Sequence, residues 1–335
     1  MIYSGLKGKK YHFLVTGGAG FIGSNLVMEL LGNGQHVTVL DNFLTGRRRN
    51  IEDVHSFMKE RNIPGSGFRF VHGDIRNLPT CVEAGRRVDF IMHNAALGSV
   101  PRSIDDPAAS SEVNVMGTVN MLVSAKENKV GRFVYASSSS VYGDSEKLPK
   151  VEGEEGSPLS PYALTKCVGE EYAENFRRVY GLDSVGLRYF NVFGPRQDPD
   201  SRYAAVIPIF VKKLLAKESP VINGDGETTR DFTYVENVVQ ANILAALAAP
   251  SLSADDMPRV YNIACSKPVS INAVYKKIAT LLETDIKPVY GPERKGDVRH
   301  SDADISRAKE FLGYEPSVDF EKGLELSMEW YKKNI

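Results

Sequence analysis

Residues 12–23 read HFLVTGGAGFIG. The first five carry the β-branched and aromatic character of a strand, and an apolar, helix-length segment, IGSNLVMELLGNG, begins at Ile22. Between them the glycines satisfy two spacings at once, Gly17-x-x-Gly20-x-x-Gly23 and Gly18-x-Gly20-x-x-Gly23. Glycine suits this place because the backbone must turn tightly and approach a pyrophosphate, which the first N–H groups of the following helix then hold. Eighteen residues after Gly23, Asp41 closes the apolar run HVTVLD, where a carboxylate can hold ribose hydroxyls and repel a 2′-phosphate. The spacing therefore predicts a dinucleotide site, with Gly17, Gly20, Phe21, Ile22, Gly23 and Asp41 as contacts and NAD rather than NADP as the cofactor. Arg47-Arg48-Arg49 give the opposite hint, since arginine can hold a 2′-phosphate, but they lie further along and read as a solvated charge run.

Outward from this motif, apolar runs alternate with helix-length segments. YHFLVT, HVTVLD, GFRFVHGD, VDFIMHNA, RFVYASS and SVGLRYF read as strands, and AASSEVNVMGTVNMLVSAKEN and YALTKCVGEEYAENFRRVYG as helices, the latter ending at Gly181. Such a rhythm predicts an α/β fold, a doubly wound parallel sheet of Rossmann-like type. After Phe190 the prolines and the glycines of INGDGETTRDF mark a smaller C-terminal α/β substrate lobe. The expected division is an NAD-binding domain over 1–190, to which the chain returns around 235–263 (NVVQANILAALAA and VYNIA), and a mainly substrate-binding lobe over 191–335.

Composition narrows the function classes. A net charge of -1 offers no field for nucleic acid. No apolar run approaches the roughly 20 residues that span a bilayer, and no apolar signal core precedes the first strand, so the expected location is cytoplasmic. Three dispersed cysteines and six scattered histidines give neither a disulfide framework nor a metal pattern.

The chemistry is expected at the carboxyl edge of the sheet, where open α/β sheets bind ligands. Polar groups end three further strands there: Asp74 with Ile75, the His93–Leu97 turn containing Ala95 and Ala96, and the serine run Ser137–Ser140. Further on, Tyr162 and Lys166 lie four residues apart, about one helical turn, and project from one face. A phenol titrates near 10, too high for a base at neutral pH. A lysine ammonium one turn away and a cationic nicotinamide would favour the phenolate and lower that value, which lets the pair take a proton from a substrate hydroxyl.

With these residues the chain resembles the extended short-chain dehydrogenase/reductase family, through TGGAGFIG, Asp41-Asn42, GDIR, HNAAL, the serine strand, Tyr162/Lys166, LRYFNVFGP, NGDGETTRDF and GDVRHSDADIS. Within it, ALGSVPRS, RQDP, YAAVIP and GDVRHS resemble the UDP-N-acetylhexosamine 4-epimerases. The resemblance implies transient oxidation of a UDP-sugar at C4, with Tyr162, Lys166 and Ser138 as catalytic residues and Ser138 hydrogen-bonded to the reacting hydroxyl. It adds Asn42 and Asn114 to the cofactor contacts. For the substrate it implies Ser139, Ser140, Asn191, Val206, Asn223, Arg230, Arg294 and Asp297, the arginines facing the diphosphate and Asp297 a ribose. Ser301 takes the place where epimerases limited to plain sugars carry a tyrosine, so it leaves room for an N-acetyl group. A homodimer built from helices near 110–127 and 162–180 is implied as well.

UDP-GlcNAc to UDP-GalNAc is therefore the expected conversion. UDP-glucose/UDP-galactose and UDP-GlcNAc-uronate epimerisation are alternatives. A related dehydratase or decarboxylase would carry a carboxylate where Ser139 and Ser140 stand, and a non-catalytic NAD-binding regulator would need neither Tyr162 nor Lys166.

Overall fold

The computed structural model describes residues 3–200, 204–248, 259–293 and 299–335. Seven strands form one parallel sheet: β1 (His12–Thr16), β2 (His36–Asp41), β3 (Phe68–His72), β4 (Phe90–His93), β5 (Arg132–Ser138), β6 (Ser184–Tyr189) and β7 (Val260–Ile263). Their order across the sheet is β7-β6-β5-β4-β1-β2-β3. The direction of winding reverses between β1 and β4, which opens a crevice at their carboxyl ends. The strands β1, β2 and β6 are almost wholly buried, as expected of a parallel sheet covered on both faces. Leu26, Val54, Met58 and Ile243 pack on one face, and Cys81, Met121, Leu122 and Phe176 on the other. All six runs read as strands before residue 190 are strands, and β7 pairs with β6.

Two helices repay closer inspection. Pro161–Tyr180 starts where the Ser160 hydroxyl accepts the Ala163 N–H at 3.1 Å and Pro161 occupies the first turn, and it stops at Gly181 with φ 70°. The segment read as one helix over AASSEVNVMGTVNMLVSAKEN is instead interrupted by a π turn, Glu112–Met116, before Gly117–Glu127. Gly117 faces Ile75 so closely that a Cβ there would lie 2.4 Å from its Cδ1.

The second lobe packs around Phe193, Phe210, Ile222, Phe232, Val274 and Phe320. It contains the helices Val206–Leu215, Ile271–Leu281 and Phe320–Asn334 and three two-stranded pairings, among them Thr229–Asp231 with Pro268–Ser270. No helix among the described residues is long and apolar enough to cross a membrane.

Candidate active site

The glycine turn fills the crevice at the switch point. Gly17 has φ 69°, a conformation that L side chains rarely adopt, and a Cβ there would lie 2.8 Å from the Ala95 nitrogen. A Cβ on Gly23 would lie 2.1 Å from the Gly17 carbonyl oxygen, so helix and turn close on each other only through glycine. Gly20 caps the Phe21–Gly32 helix without a side-chain acceptor, so no cap competes with an anion for the first-turn N–H groups. The buried Asp41 accepts the Ala19 N–H at 2.9 Å and the Phe43 N–H at 2.7 Å. Burial raises its pKa, and those two amides pull against it. Asp74 accepts from Asn42 at 2.8 Å and from Arg76, whose hydrogen bonds hold its pKa down to about 2. Asn42, Asp74, Ile75, Ala95 and Ala96 line a small recess of about 50 Å³ beside Asp41.

The arginine run is not simply solvated. Arg47 crosses to Asp198, and at 3.5 Å to Asp200, tying the loop after β2 to the loop after Phe193. Arg48 lies over the Phe43 ring, 4.7 Å from its centroid.

Beyond β4, the end of β5 and the start of the Pro161–Tyr180 helix bring Ser138, Tyr162 and Lys166 together. Tyr162 opens its helix with its N–H on the buried Ser103 hydroxyl at 2.9 Å, and it lines the same cavity as Ser138. Lys166, one turn on, donates from Nζ to the Ala136 carbonyl at 2.8 Å and stands 5.9 Å from the Tyr162 ring centroid. Burial pulls the Lys166 ammonium down to about 8, opposed by the Glu170 carboxylate. Burial raises the Tyr162 pKa, and the neighbouring Ser138 side chain offsets this only in part; the lowering expected of Lys166 was for the pair with a cationic nicotinamide beside it. His93, buried between Thr16 and Thr118, is held down to about 3 by burial and by Lys166, and adds no competing charge.

Three serines behave differently from the expectation. Ser139 and Ser140 form a 3-10 turn directly after β5, and neither is among the residues lining the cavity of Ser138 and Tyr162 or the one beside Arg230. The Ser140 hydroxyl donates to Ser138 Oγ at 3.0 Å, which leaves the Ser138 proton available to a neighbour. Ser137, expected at the strand end but given no role of its own, lines the cavity with Ser138 and Tyr162. Asn114 has protein partners for its whole amide. Its amide is taken up by Leu97 (N–H at 2.7 Å, carbonyl at 3.1 Å) and by Thr165, so it braces the cavity wall from behind.

Two cavities of about 460 Å³ each adjoin at Asn191 and Val192. One holds the glycine turn, Ser138 and Tyr162; the other is lined by Val206, Asn223, Arg230, Phe210 and Phe232. Asn191, at φ 36°, donates to the Asp231 carbonyl at 3.0 Å, which fixes it at the junction. Ser301 donates its N–H to the Thr229 carbonyl at 3.1 Å, next to Arg230 but off the cavity wall. Arg294 and Asp297, and Tyr203 of YAAVIP, lie outside the described residues.

Residues 13–264 match the model of the NAD dependent epimerase/dehydratase family. The chain belongs to that family. NAD is its cofactor, and the cradle fits it: glycine where a Cβ would collide, an uncapped helix start, and a buried carboxylate at Asp41 beside the turn. Among similar family members, the UDP-glucose 4-epimerase of Mycolicibacterium smegmatis is 37% identical over 95% of this chain and 98% of its own. The structure of a UDP-N-acetylglucosamine 4-epimerase from Methanobrevibacter ruminantium M1, in complex with UDP-N-acetylmuramic acid, superposes with TM-score 0.89 at 38% identity, covering 98% of this chain and all of that one. A UDP-glucuronic acid 4-epimerase from Bacillus cereus, in complex with UDP-glucuronic acid and NAD, gives TM-score 0.84 at 30% identity, over 97% of this chain and all of that one.

Residues beyond those predicted as contacts also line the family's cofactor crevice. Gly98, Ser99 and Thr45 line it from loops, and Tyr189 reaches it from β6, its hydroxyl on Asn94 at 3.2 Å. Gly98 and Ser99 stand in ALGSVPRS and Tyr189 in LRYFNVFGP, both stretches of the resemblance, whereas Thr45 lies in none of them.

Proposed function

We propose that this protein epimerises UDP-sugars at C4, and that UDP-GlcNAc and UDP-GalNAc are its principal pair. The observation that carries the reading is the meeting of Ser138 and Tyr162 in one cavity with Asn191, at its junction with the second. The second cavity suits a uridine and its diphosphate, with Arg230 as the charged partner and Val206 and Asn223 along its wall. The similar UDP-sugar 4-epimerases support the same chemistry.

Bound NAD would supply a reversible hydride acceptor beside the sugar C4. Ser138 orients the C4 hydroxyl, and the Tyr162 phenolate takes its proton. Lys166 stabilises that phenolate from one turn away. Rotation of the resulting 4-keto sugar presents its other face, and Tyr162 returns the proton as the alcohol reforms. Ser139 and Ser140 bring no carboxylate, so nothing at those two positions drives loss of water. Ser301, small and beside Arg230, supports the N-acetyl sugar. The UDP-glucose and UDP-glucuronate epimerases among the relatives keep the plain and acidic sugars as the second reading.

The same proposal includes a homodimer, formed through the Gly117–Glu127 and Pro161–Tyr180 helices and the turn before them. Met116, Leu164 and Tyr172, all exposed apolar side chains, stand there. Incubation of the pure protein with UDP-GlcNAc, UDP-glucose and their uronates, without added NAD, tests the function. C4 epimers are the expected products, fastest from UDP-GlcNAc; a 4-keto-6-deoxy sugar or a pentose would overturn the reading.

A further inference from the structure

Beneath Lys166 the same helix face continues to Glu170, another turn on. Its carboxylate is built into the sheet rather than left to solvent. Oε2 accepts from an Arg188 guanidinium nitrogen at 2.7 Å, and Oε1 from Arg188 Nε at 2.9 Å and from the Ser137 hydroxyl. The second fork of Arg188 reaches Glu155, and the guanidinium lies 5.0 Å from the Tyr142 ring centroid. Arg188 and Glu170 side chains are 5% and 12% exposed, so salt screens this pair little.

The register explains why these groups converge. Ser137 and Arg188 are direct neighbours on β5 and β6, and Ser138 is opposite Tyr189. Glu170 thus fastens the helix that carries Tyr162 and Lys166 to the strand end that carries Ser138. It also places a negative charge behind the ammonium. We infer that Glu170 is a positioning residue for the Ser138–Tyr162–Lys166 group, acting through Ser137 and Arg188 on the strand side and through Lys166 on the helix side. The inference rests on the proton-transfer roles proposed above for Tyr162 and Lys166.

The charged and titratable groups around the pair are few. Lys166 faces Tyr162 and Glu170 on its own helix and neutral His93 on β4. Glu170 faces Arg188 on β6, Tyr135 and Ser137 on β5, Cys167 on its own helix, and Glu155 beyond Arg188. Only Glu170 raises the Lys166 pKa against burial. Removing its charge therefore moves loss of the ammonium, and with it the alkaline limb of activity, to lower pH.

Glu170→Gln keeps the side chain's shape and removes the charge, whereas Ser137→Ala keeps every charge and cuts the link to β5. For both, kcat and KM are measured against pH on the UDP-sugar turned over best, beside a thermal melt. Misplacement of this kind costs about 10- to 100-fold in kcat with little change in KM. The alkaline limb should shift down in Glu170→Gln and stay in place in Ser137→Ala. A folded Glu170→Gln protein with wild-type kcat and pH profile overturns the inference. If that variant does not fold, a wild-type kcat in Ser137→Ala overturns it. Tyr162→Phe separates this from failure of the underlying reading: a Tyr162→Phe protein that still turns over sinks the proton-transfer roles and the inference with them.

Discussion

Gly23 shows how a single hydrogen atom admits a cofactor. A methyl there would collide with the Gly17 carbonyl at 2.1 Å, so Gly23→Ala must push the helix from the turn. A loss of about 1–3 kcal/mol in stability is expected, with lower NAD content in the purified protein, read by denaturant titration and by absorbance after acid release. Lys166 sets a second residue-level expectation. Its ammonium, pulled to about 8, is intact below that pH and lost as pH rises through it. Activity should fall on the same rise, and a rate unchanged well above that pH would remove Lys166 from the mechanism. At Ser301, replacement by tyrosine should suppress turnover of UDP-GlcNAc more than of UDP-glucose; equal losses would deny it a role in choosing the sugar.

At the scale of elements, the strands and the Pro161–Tyr180 helix were readable because local chemistry and tertiary structure agree there. Ser160 and Gly181 announce the helix ends, and removing the Ser160 hydroxyl should cost about 1 kcal/mol, visible as a lower melting temperature. The glycine spacing, Asp41 and the Tyr162–Lys166 turn were legible for the same reason. Where long-range contacts decide, the sequence was silent. The π turn that aims Asn114 at Leu97 depends on how closely Gly117 meets Ile75, far away in the chain. Ser139 and Ser140 look like strand residues, yet the 3-10 turn after Ser138 takes them off the cavity wall. Arg47 finds its partner at Asp198, across a separation that no local pattern encodes. Because that pair joins two loops beside the dinucleotide crevice, Arg47→Ala should speed release of NAD, measured by dialysis of the loaded protein; an unchanged rate would leave the bridge with no part in retention.

For the molecule as a whole, two buried or bonded carboxylates give opposite pH signatures. Asp74, held down to about 2 from an ordinary 3.8, adds stability that is present above 3.8 and is lost as pH falls towards 2. Asp231, in the second lobe, accepts the Cys265 and Ser266 N–H groups at 3.0 and 2.9 Å, and burial raises it to about 6. The unfolded chain releases that proton near 3.8 and the folded one near 6, so this group's contribution declines as pH rises between those values. The stability profile of Asp231→Asn should accordingly lose that decline relative to the parent.

The two cavities share Asn191 and Val192, and the reaction proposed across them leaves a direct trace. UDP-GlcNAc carrying deuterium at C4, incubated with the purified protein in ordinary water without added NAD, should yield UDP-GalNAc with deuterium still at C4, seen by NMR. Deuterium found at C6 of a 4-keto-6-deoxy product, or lost to solvent, would contradict the account.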